Sequence, residues 1–271
     1  MTLSGFPNGI SAMGVPFPIV TTGDIFFVDL AGGQDSNKGK DKSHSLLTIS
    51  QAHSKAANAN DDVVLVSNKG TVTDNITITK EGFAIWGIPA YESLMGGSVR
   101  ITNTTAGKNI FDIQASKVRI ENLRLSYGSD LLAICFSDPL CAFQTVIRNV
   151  NITLTNAASY GLGTRSTHTI TDSLIENVSI QGAEGITAAA GLFLGNGVTR
   201  NVLVRDVYIS RVTDGVKVGT ATRSKFQRII MDNTVTTPFT VTGTSSLIFS
   251  CVTASAISGT TALLGDNTVV S

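Results

Sequence analysis

The sequence predicts an all-β fold, a right-handed parallel β-helix (a stacked-coil solenoid) with one N-terminal capping helix. Three observations support this prediction. A short motif returns in six copies, the composition is rich in residues that favour strands and tight turns, and only one segment has convincing helical periodicity. A motif with a period of about 20 to 50 residues is typical of solenoids.

The repeated motif consists of an apolar residue, a polar corner position two residues later, and then alternating apolar residues. Its copies lie at 118–125, 147–152, 175–180, 204–209, 226–231 and 248–253, and the corner position advances by 27, 28, 29, 22 and 22 residues. Between the copies, glycine-bounded segments at 161–163, 191–195, 215–219 and 239–243 predict a further strand between glycine turns on another face. No coil of this size buries its apolar face alone, so we expect the coils to stabilise one another by stacking.

The corner position of the motif predicts a structural ladder. Asparagine tolerates the left-handed backbone conformation, and its amide can hydrogen-bond locally. Coils about 4.8 Å apart would let stacked amides bond to one another. We therefore expect a ladder that weakens toward the C-terminus, where other residues replace asparagine. Its predicted members are Asn122, Asn149, Asn177 and Asp206.

The chain is predicted to divide into an extended arm, residues 1–23, and a β-helix body, residues 24–271. Pro7, Pro16 and Pro18 would keep the arm extended and outside the solenoid. Within the body, residues 24–66 are expected to hold the first strand and the cap.

The cap is predicted as a helix over residues 46–59. Leu46, Ile49 and either Ala52 or His53 would share one face of that helix. A solenoid needs its open end covered, and this helix precedes the first coils. Alternating apolar residues then predict early strands at 62–66, 76–78, 83–87, 99–101 and 111–113.

The composition excludes several classes of function. Twenty basic and 20 acidic residues cancel, so no electrostatic field draws the chain to nucleic acid or to an anionic membrane. No stretch approaches 18 apolar residues, so we expect no membrane insertion, and the N-terminus does not resemble a signal peptide. Charged residues make up only 15%, which favours a surface partly buried against other subunits. Three cysteines at unhelpful spacings predict reduced thiols and synthesis in a cytoplasm.

Two resemblances add to this reading. Segments 26–29, 32–39 and 47–52 resemble the N-terminal region of many pectate-lyase-like β-helix proteins, where the chain begins the first coil. Later segments through Trp86 and Gly87 continue the likeness. The opening residues 5–10, GFPNGI, are similar to the start of many tailed-bacteriophage virion proteins. The attachment residues that this second resemblance implies are Gly5, Phe6, Pro7, Asn8 and Gly9.

Together the resemblances imply a bacteriophage surface protein: a fibre, a spike or a capsid decoration. It would be made in the host cytoplasm and located in the virion, and both a capsid and a tail position fit this body plan. Family members usually form homotrimers, so the implied partners are further copies of the chain, other virion proteins and a host surface glycan.

Catalysis is one rival to a structural role. Glycoside hydrolysis needs two carboxyl groups about 5 to 9.5 Å apart, and the candidates are Asp206 with Asp232 and Glu184 with Asp214. Asp206 and Asp214 occupy positions where turn formation accounts for an aspartate, so no catalytic residue is assigned. No metal or cofactor is predicted, because no phosphate-loop motif is present and metal-ligand spacing is absent from His44, His53 and His168.

Sugar binding without cleavage is the other rival. Aromatic residues are few, and Trp86 is expected in core or cap packing. Tyr127 and Tyr160 are predicted to lie in turns beside inserted segments and are the candidates for glycan contact. The predicted function is therefore a non-enzymatic virion structural protein. A tailspike-like polysaccharide depolymerase and a non-catalytic glycan receptor binder remain the alternatives.

Overall fold

The protein is a parallel β-helix, as predicted. The computed structural model describes residues 10–12, 15–17, 21–88, 99–137, 142–164, 168–249, 251–253, 258–259, 262–263 and 268–269. In the body, the strands pair in parallel with strands of neighbouring coils. Across these described residues, no helix is long and apolar enough to cross a membrane.

Three sheets run along the solenoid, and several long strands bend through more than one of them. The first sheet contains β3 (Ile25–Asp29), β4 (Val63–Ser67), β7 (Ala84–Gly87), the first parts of β10 (Arg119–Tyr127), β13 (Val146–Leu154), β16 (Leu174–Gly182) and β18 (Leu203–Ser210), later parts of β19 (Val212–Met231) and β20 (Thr237–Phe249), and β23 (Ala262–Leu263). The second sheet contains β5 (Lys69–Thr71), β8 (Arg100–Asn103), the second parts of β10, β13, β16 and β18, the end of β19, β21 (Val252–Thr253) and β24 (Thr268–Val269).

The third sheet follows the second and returns the chain to the first. It contains β6 (Ile76–Ile78), β9 (Phe111–Ile113), β11 (Leu132–Phe136), β14 (Tyr160–Thr164), the first parts of β17 (Ala188–Arg200), β19 and β20, and β22 (Ser258–Gly259). Two short strands, β12 (Ala142–Phe143) and β15 (Ile170–Thr171), pair along the connection that leads back to the first sheet. The predicted early strands are confirmed in β4 and in β6 to β9.

The core is a continuous apolar column inside the coils. Alternate residues point inward, so Leu123 and Leu125 of β10 are buried while Arg124 is exposed. A second, smaller apolar cluster lies against the outward side of β3, β4 and β7, and Trp86 is buried there. The predicted packing role of Trp86 is therefore confirmed, at the N-terminal end of the first sheet.

The cap helix is shorter than predicted. Helix α1 spans Ile49–Lys55, preceded by a 3-10 turn at Lys42–His44. The Thr48 hydroxyl accepts the backbone N–H of Gln51 and begins the helix, whereas Leu46 forms a β-bridge with Val28 instead of a helical turn. Ile49, Ala52 and His53 are buried on the predicted face. The predicted helix began at residue 46 because Leu46 lies three residues before Ile49, which is a helical spacing. In the structure Leu46 is extended and Thr48 is the residue that begins the helix.

In the arm, the described residues include two short strands, β1 (Ile10–Ala12) and β2 (Val15–Phe17), which pair antiparallel. Thr21 of the arm contacts the body, where its hydroxyl donates to the Asp61 carbonyl, and the first body residue, Asp24, donates its N–H to the Asp62 carboxylate at 2.6 Å. Thr21 therefore ties the end of the arm to the β-helix.

Two columns of residues with left-handed backbone conformation form corners of the coils. The first column lies between the first and second sheets, with φ between 50° and 58°, at Asn122, Asn149, Asn177, Asp206 and Arg228. The second precedes seven strand segments of the first sheet, with φ between 50° and 77°, at Asp61, Gly82, Lys117, Gln144, Asp172, Asn201 and Arg223. Only the first column was predicted.

Candidate functional site

Two aromatic rings meet on the outer face of the third sheet. Phe193 of β17 points outward, and Tyr160 begins β14 in the preceding coil. Their ring centroids are 5.1 Å apart and the ring planes are inclined by 57°, so the rings form an angled pair and not a flat stack. Both side chains are half-buried. Part of each ring is therefore available to a ligand.

An ion pair borders these rings in the next coil. Lys217 of β19 is paired in register with Phe193, and its Nζ lies 5.8 Å from the Phe193 ring centroid. The same nitrogen lies 3.3 Å from Oδ2 of Asp214, which points out from the same strand. The lysine and aspartate side chains are 44% and 25% exposed, so donors and acceptors of hydrogen bonds remain accessible. We call Tyr160, Phe193, Asp214 and Lys217 the aromatic site.

Stacked glycines bring the strands behind this site close to the core. Gly161, Gly191 and Gly215 lie within β14, β17 and β19, so the prediction that they form turns is wrong. A Cβ atom on Gly161 or Gly191 would lie 2.6 or 2.7 Å from Cγ2 of the isoleucine packed against it (Ile180 and Ile209). Glycine is needed here because the large core side chains occupy the space of a Cβ atom. The rigid, close-packed strands hold the aromatic site in place.

Tyr127, predicted as a glycan contact, lies in the core. It is the last residue of β10, its side chain is 0% exposed, and its hydroxyl donates to the Lys108 carbonyl at 2.8 Å. Burial raises the pKa of the Tyr127 hydroxyl to about 12. The prediction for Tyr127 is wrong because the strand continues to residue 127 and its alternation turns this ring inward. Tyr160 is likewise in a strand and not a turn, but it faces outward.

The predicted ladder residues lie at one corner of the coil. Asn149 Nδ2 donates to Asn122 Oδ1 at 2.9 Å, and Asn177 Nδ2 donates to Asn149 Oδ1 at 2.7 Å. Asp206 occupies the same corner of the next coil, but its carboxylate accepts two hydrogen bonds from Arg228 one coil further on. The column thus changes from an amide chain to an ion pair, and these residues have a structural role.

The carboxyl pair Asp206 and Asp232 does not fit glycoside hydrolysis. Met231 pairs with Ile209, so Asp232 lies beside position 210 of the preceding coil. Position 210 is four residues after Asp206, which is about 13 Å along a strand. Measured along the backbone, that separation is larger than the ~9.5 Å upper limit between the carboxyl groups of a catalytic pair. Asp232 also accepts hydrogen bonds from Tyr208 and Thr234, so both carboxylates are engaged in local structure.

The other candidate pair is divided between a turn and the aromatic site. Glu184 is exposed in a turn closed by a hydrogen bond from the Ile186 N–H to the Ala183 carbonyl, whereas Asp214 pairs with Lys217.

Within the described residues, no group of three histidine, cysteine or acidic side chains could hold a metal ion. Cys135 and Cys251 are buried, reduced thiols, as expected. The arm residues Gly5, Phe6, Pro7, Asn8 and Gly9, together with Cys141, lie outside the described residues.

Comparison with known proteins finds similarity at the level of the fold. No protein-family model and no curated protein matches the sequence. Two solved structures of a GH136 lacto-N-biosidase from Eubacterium ramulus are similar to this chain, the native protein with a TM-score of 0.57 and 9% identity, and the selenomethionine derivative with 0.55 and 11%. Both alignments cover 84% of this chain but only 56% and 52% of the lacto-N-biosidase chains. The chain therefore shares the β-helix fold over about half the length of these enzymes.

The sequence contained a signal for two members of the aromatic site that were not predicted. Phe193 and Lys217 are the central residues of the segments 191–195 and 215–219, each flanked by apolar residues. In a strand, that alternation directs the central side chain outward. Their proximity to Tyr160 depends on coil register, which becomes visible only once the coils are stacked.

Proposed function

We propose that this chain is a non-enzymatic β-helical surface protein of a tailed-bacteriophage particle and that it binds a host-surface carbohydrate at the aromatic site. The observation that carries the binding proposal is the half-exposed pair of Tyr160 and Phe193 beside Lys217 and Asp214. Binding sites commonly combine apolar or aromatic surface with a few polar groups that fix orientation. The C–H face of a pyranose ring suits the rings, and its hydroxyl groups suit the amine and the carboxylate.

Binding without cleavage agrees with the roles of the acidic side chains. Of the carboxylates weighed for catalysis, Asp206 and Asp232 are engaged in structural contacts, and Glu184 lies in an exposed turn. Asp214 remains at the aromatic site, where the part of the chain that the structure describes provides one carboxylate, held by a lysine, and not the two carboxyls that glycoside hydrolysis requires.

The particle role is supported by the resemblance of residues 5–10 to virion proteins and by a body built from stacked coils. Deleting residues 2–20 should leave a folded body that no longer joins the particle, because this deletion keeps Thr21 and its contact with Asp61. The measurement is mass spectrometry of purified particles grown with either form. Incorporation of the deleted form at the normal level would contradict attachment through the arm.

Carbohydrate binding can be measured on an array of immobilised bacterial capsular and O-antigen polysaccharides. Tyr160→Ala and Phe193→Ala should each weaken binding about tenfold, as expected for loss of a ring contact worth about 1.4 kcal/mol. Tyr208→Ala is the matched control, because Tyr208 is an exposed tyrosine on the second sheet, 39% exposed, and outside the aromatic site. Equal weakening by Tyr208→Ala, or no binding by the wild type, would contradict the proposal.

A second candidate function is polysaccharide cleavage, which the shared fold with a glycoside hydrolase favours. The test is to incubate the protein with each polysaccharide that it binds and to measure new reducing ends. Release of reducing ends that is lost in Asp214→Asn but kept in Asp232→Asn would replace the binding proposal with an enzyme whose carboxyl lies at the aromatic site.

A further inference from the structure

The N-terminal cap contains a buried histidine that accepts a hydrogen bond from the first coils. His53 lies on α1, its side chain is almost fully buried, and its Nε2 accepts the backbone N–H of Thr79 at 3.1 Å. The imidazole also meets the Phe83 ring edge-on, with centroids 5.0 Å apart. This arrangement requires a neutral ring, because both nitrogens of an imidazolium are donors.

A lysine holds the C-terminal end of the same helix. Nζ of Lys80 donates to the carbonyl oxygens of His53 at 2.5 Å and Ser54 at 3.1 Å, and also to that of Ala56. A cation at this position satisfies the unpaired carbonyls and complements the helix dipole. Thr79 and Lys80 are adjacent, so one short segment after β6 fastens both the side chain and the backbone of α1.

The surroundings oppose a positive charge on His53. Helix α1 packs against β3, β4 and β6. Of the acidic groups at these strands, Asp29 accepts the N–H groups of Ala31 and Gly32, Asp62 accepts those of Asp24 and Ala57, and Glu81 pairs with Lys117. The charge that acts on the imidazole is the Lys80 ammonium. Burial, and then this ammonium, lower the pKa of His53 to about 4.

We propose that His53 makes the cap an acid-released latch, which lets α1 separate from the first coils when the imidazole is protonated while the later coils stay folded. Protonation removes the acceptor for the Thr79 N–H and places a second cation beside Lys80. Separation relieves both costs, because the imidazolium then reaches water. The exposed surface would be the apolar end of the core that Ile49 and Ala52 cover. This device is independent of the aromatic site and of any carbohydrate.

The test is hydrogen exchange measured by mass spectrometry on the full chain, corrected for the intrinsic pH dependence of exchange. Between about pH 7.5 and pH 4.5, the opening of residues 49–56 should increase about 70-fold, because the open state binds a proton near pH 6.5 and the closed state near pH 4. Residues 146–154 of β13 should show no comparable change. Unchanged protection of residues 49–56 at the lower pH would overturn the proposal.

Variants separate this histidine from other acid-sensitive groups. His53→Gln keeps an acceptor for Thr79 but cannot titrate, so its opening should lose the pH dependence, whereas the exposed-histidine control His44→Gln should behave like the wild type. Lys80→Met should open more at neutral pH and respond less to acid. Should His53→Gln fail to fold, an NMR titration of the wild-type histidines decides the question. Titration of His53 at the ordinary histidine pKa of about 6.5 would overturn the proposal.

Discussion

The two left-handed corners of the coil have the same backbone conformation but are stabilised in different ways. At the first corner, side chains make the contacts between coils, with the amides of Asn122, Asn149 and Asn177 bonded in a chain. At the second corner, most of these contacts are backbone hydrogen bonds, and one side-chain bond, from Asn201 Nδ2 to Asp172 Oδ1 at 2.8 Å, adds to them. The N–H of Lys117 donates to the Phe143 carbonyl, and equivalent bonds are donated by Gly82, Gln144, Asp172 and Asn201.

This difference explains why only one corner was visible in the sequence. A side-chain ladder requires a particular residue type in each coil, so it leaves a repeated asparagine. A backbone ladder accepts any residue that tolerates positive φ, and the second corner accordingly contains acidic, basic, amide and glycine residues. Backbone hydrogen bonds are available to every residue except proline, so they impose little pattern on the sequence.

The largest effect is expected from alanine substitution at the first corner, with the second corner as its control. Asn149→Ala should lower the free energy of unfolding by about 2 kcal/mol, because two hydrogen bonds are lost and alanine tolerates this conformation less well than asparagine. Gln144→Ala, the matched change at the second corner, should lie within about 0.5 kcal/mol of the wild type, since its side chain is exposed. Urea unfolding measures both. Equal losses would show that the corners are not distinguished by their side chains.

Glycine substitution should produce smaller changes of opposite sign at the two corners. Gln144→Gly should raise the free energy of unfolding by about 0.5 to 1 kcal/mol, because glycine adopts positive φ without steric cost. Asn149→Gly should instead lower it, since relief of backbone strain does not replace two lost amide bonds. The same denaturation experiment gives both values, and stabilisation by Asn149→Gly would mean that the amide chain contributes little.

The smallest effect is expected where the first corner changes from amides to the Asp206–Arg228 pair. Hydrogen bonds from Arg228, together with its charge, hold the pKa of Asp206 below its usual value. A carboxyl with a lowered pKa contributes stability at neutral pH, and that contribution is lost as the pH falls below about 4. Asp206→Asn should therefore remove a small stabilisation that is sensitive to salt and acid, whereas Asn177→Asp should add acid sensitivity at the neighbouring coil. Unfolding curves in low and high salt test this, and an identical salt response in wild type and Asp206→Asn would contradict it.

The aromatic site shows where sequence-based prediction ended. Tyr160 was predicted as a glycan contact and faces outward, but Tyr127 was assigned the same role and lies in the core. The difference depends on how far each strand runs, because one more residue of strand turns the next side chain to the opposite face. Phe193 and Lys217 carried an outward pattern, yet the sequence did not indicate that they would lie beside Tyr160.

The sequence by itself determined the parallel β-helix, the early strands, the residues of the first corner and the buried face of the cap, because each leaves a local pattern or a regular period. Tertiary structure alone decided the second corner, the glycine column behind Ile180 and Ile209, and the meeting of Tyr160, Phe193, Asp214 and Lys217. These features arise between residues that are a whole coil apart. Their geometry depends on the register of stacking, which is a property of the assembled coils and not of any single segment.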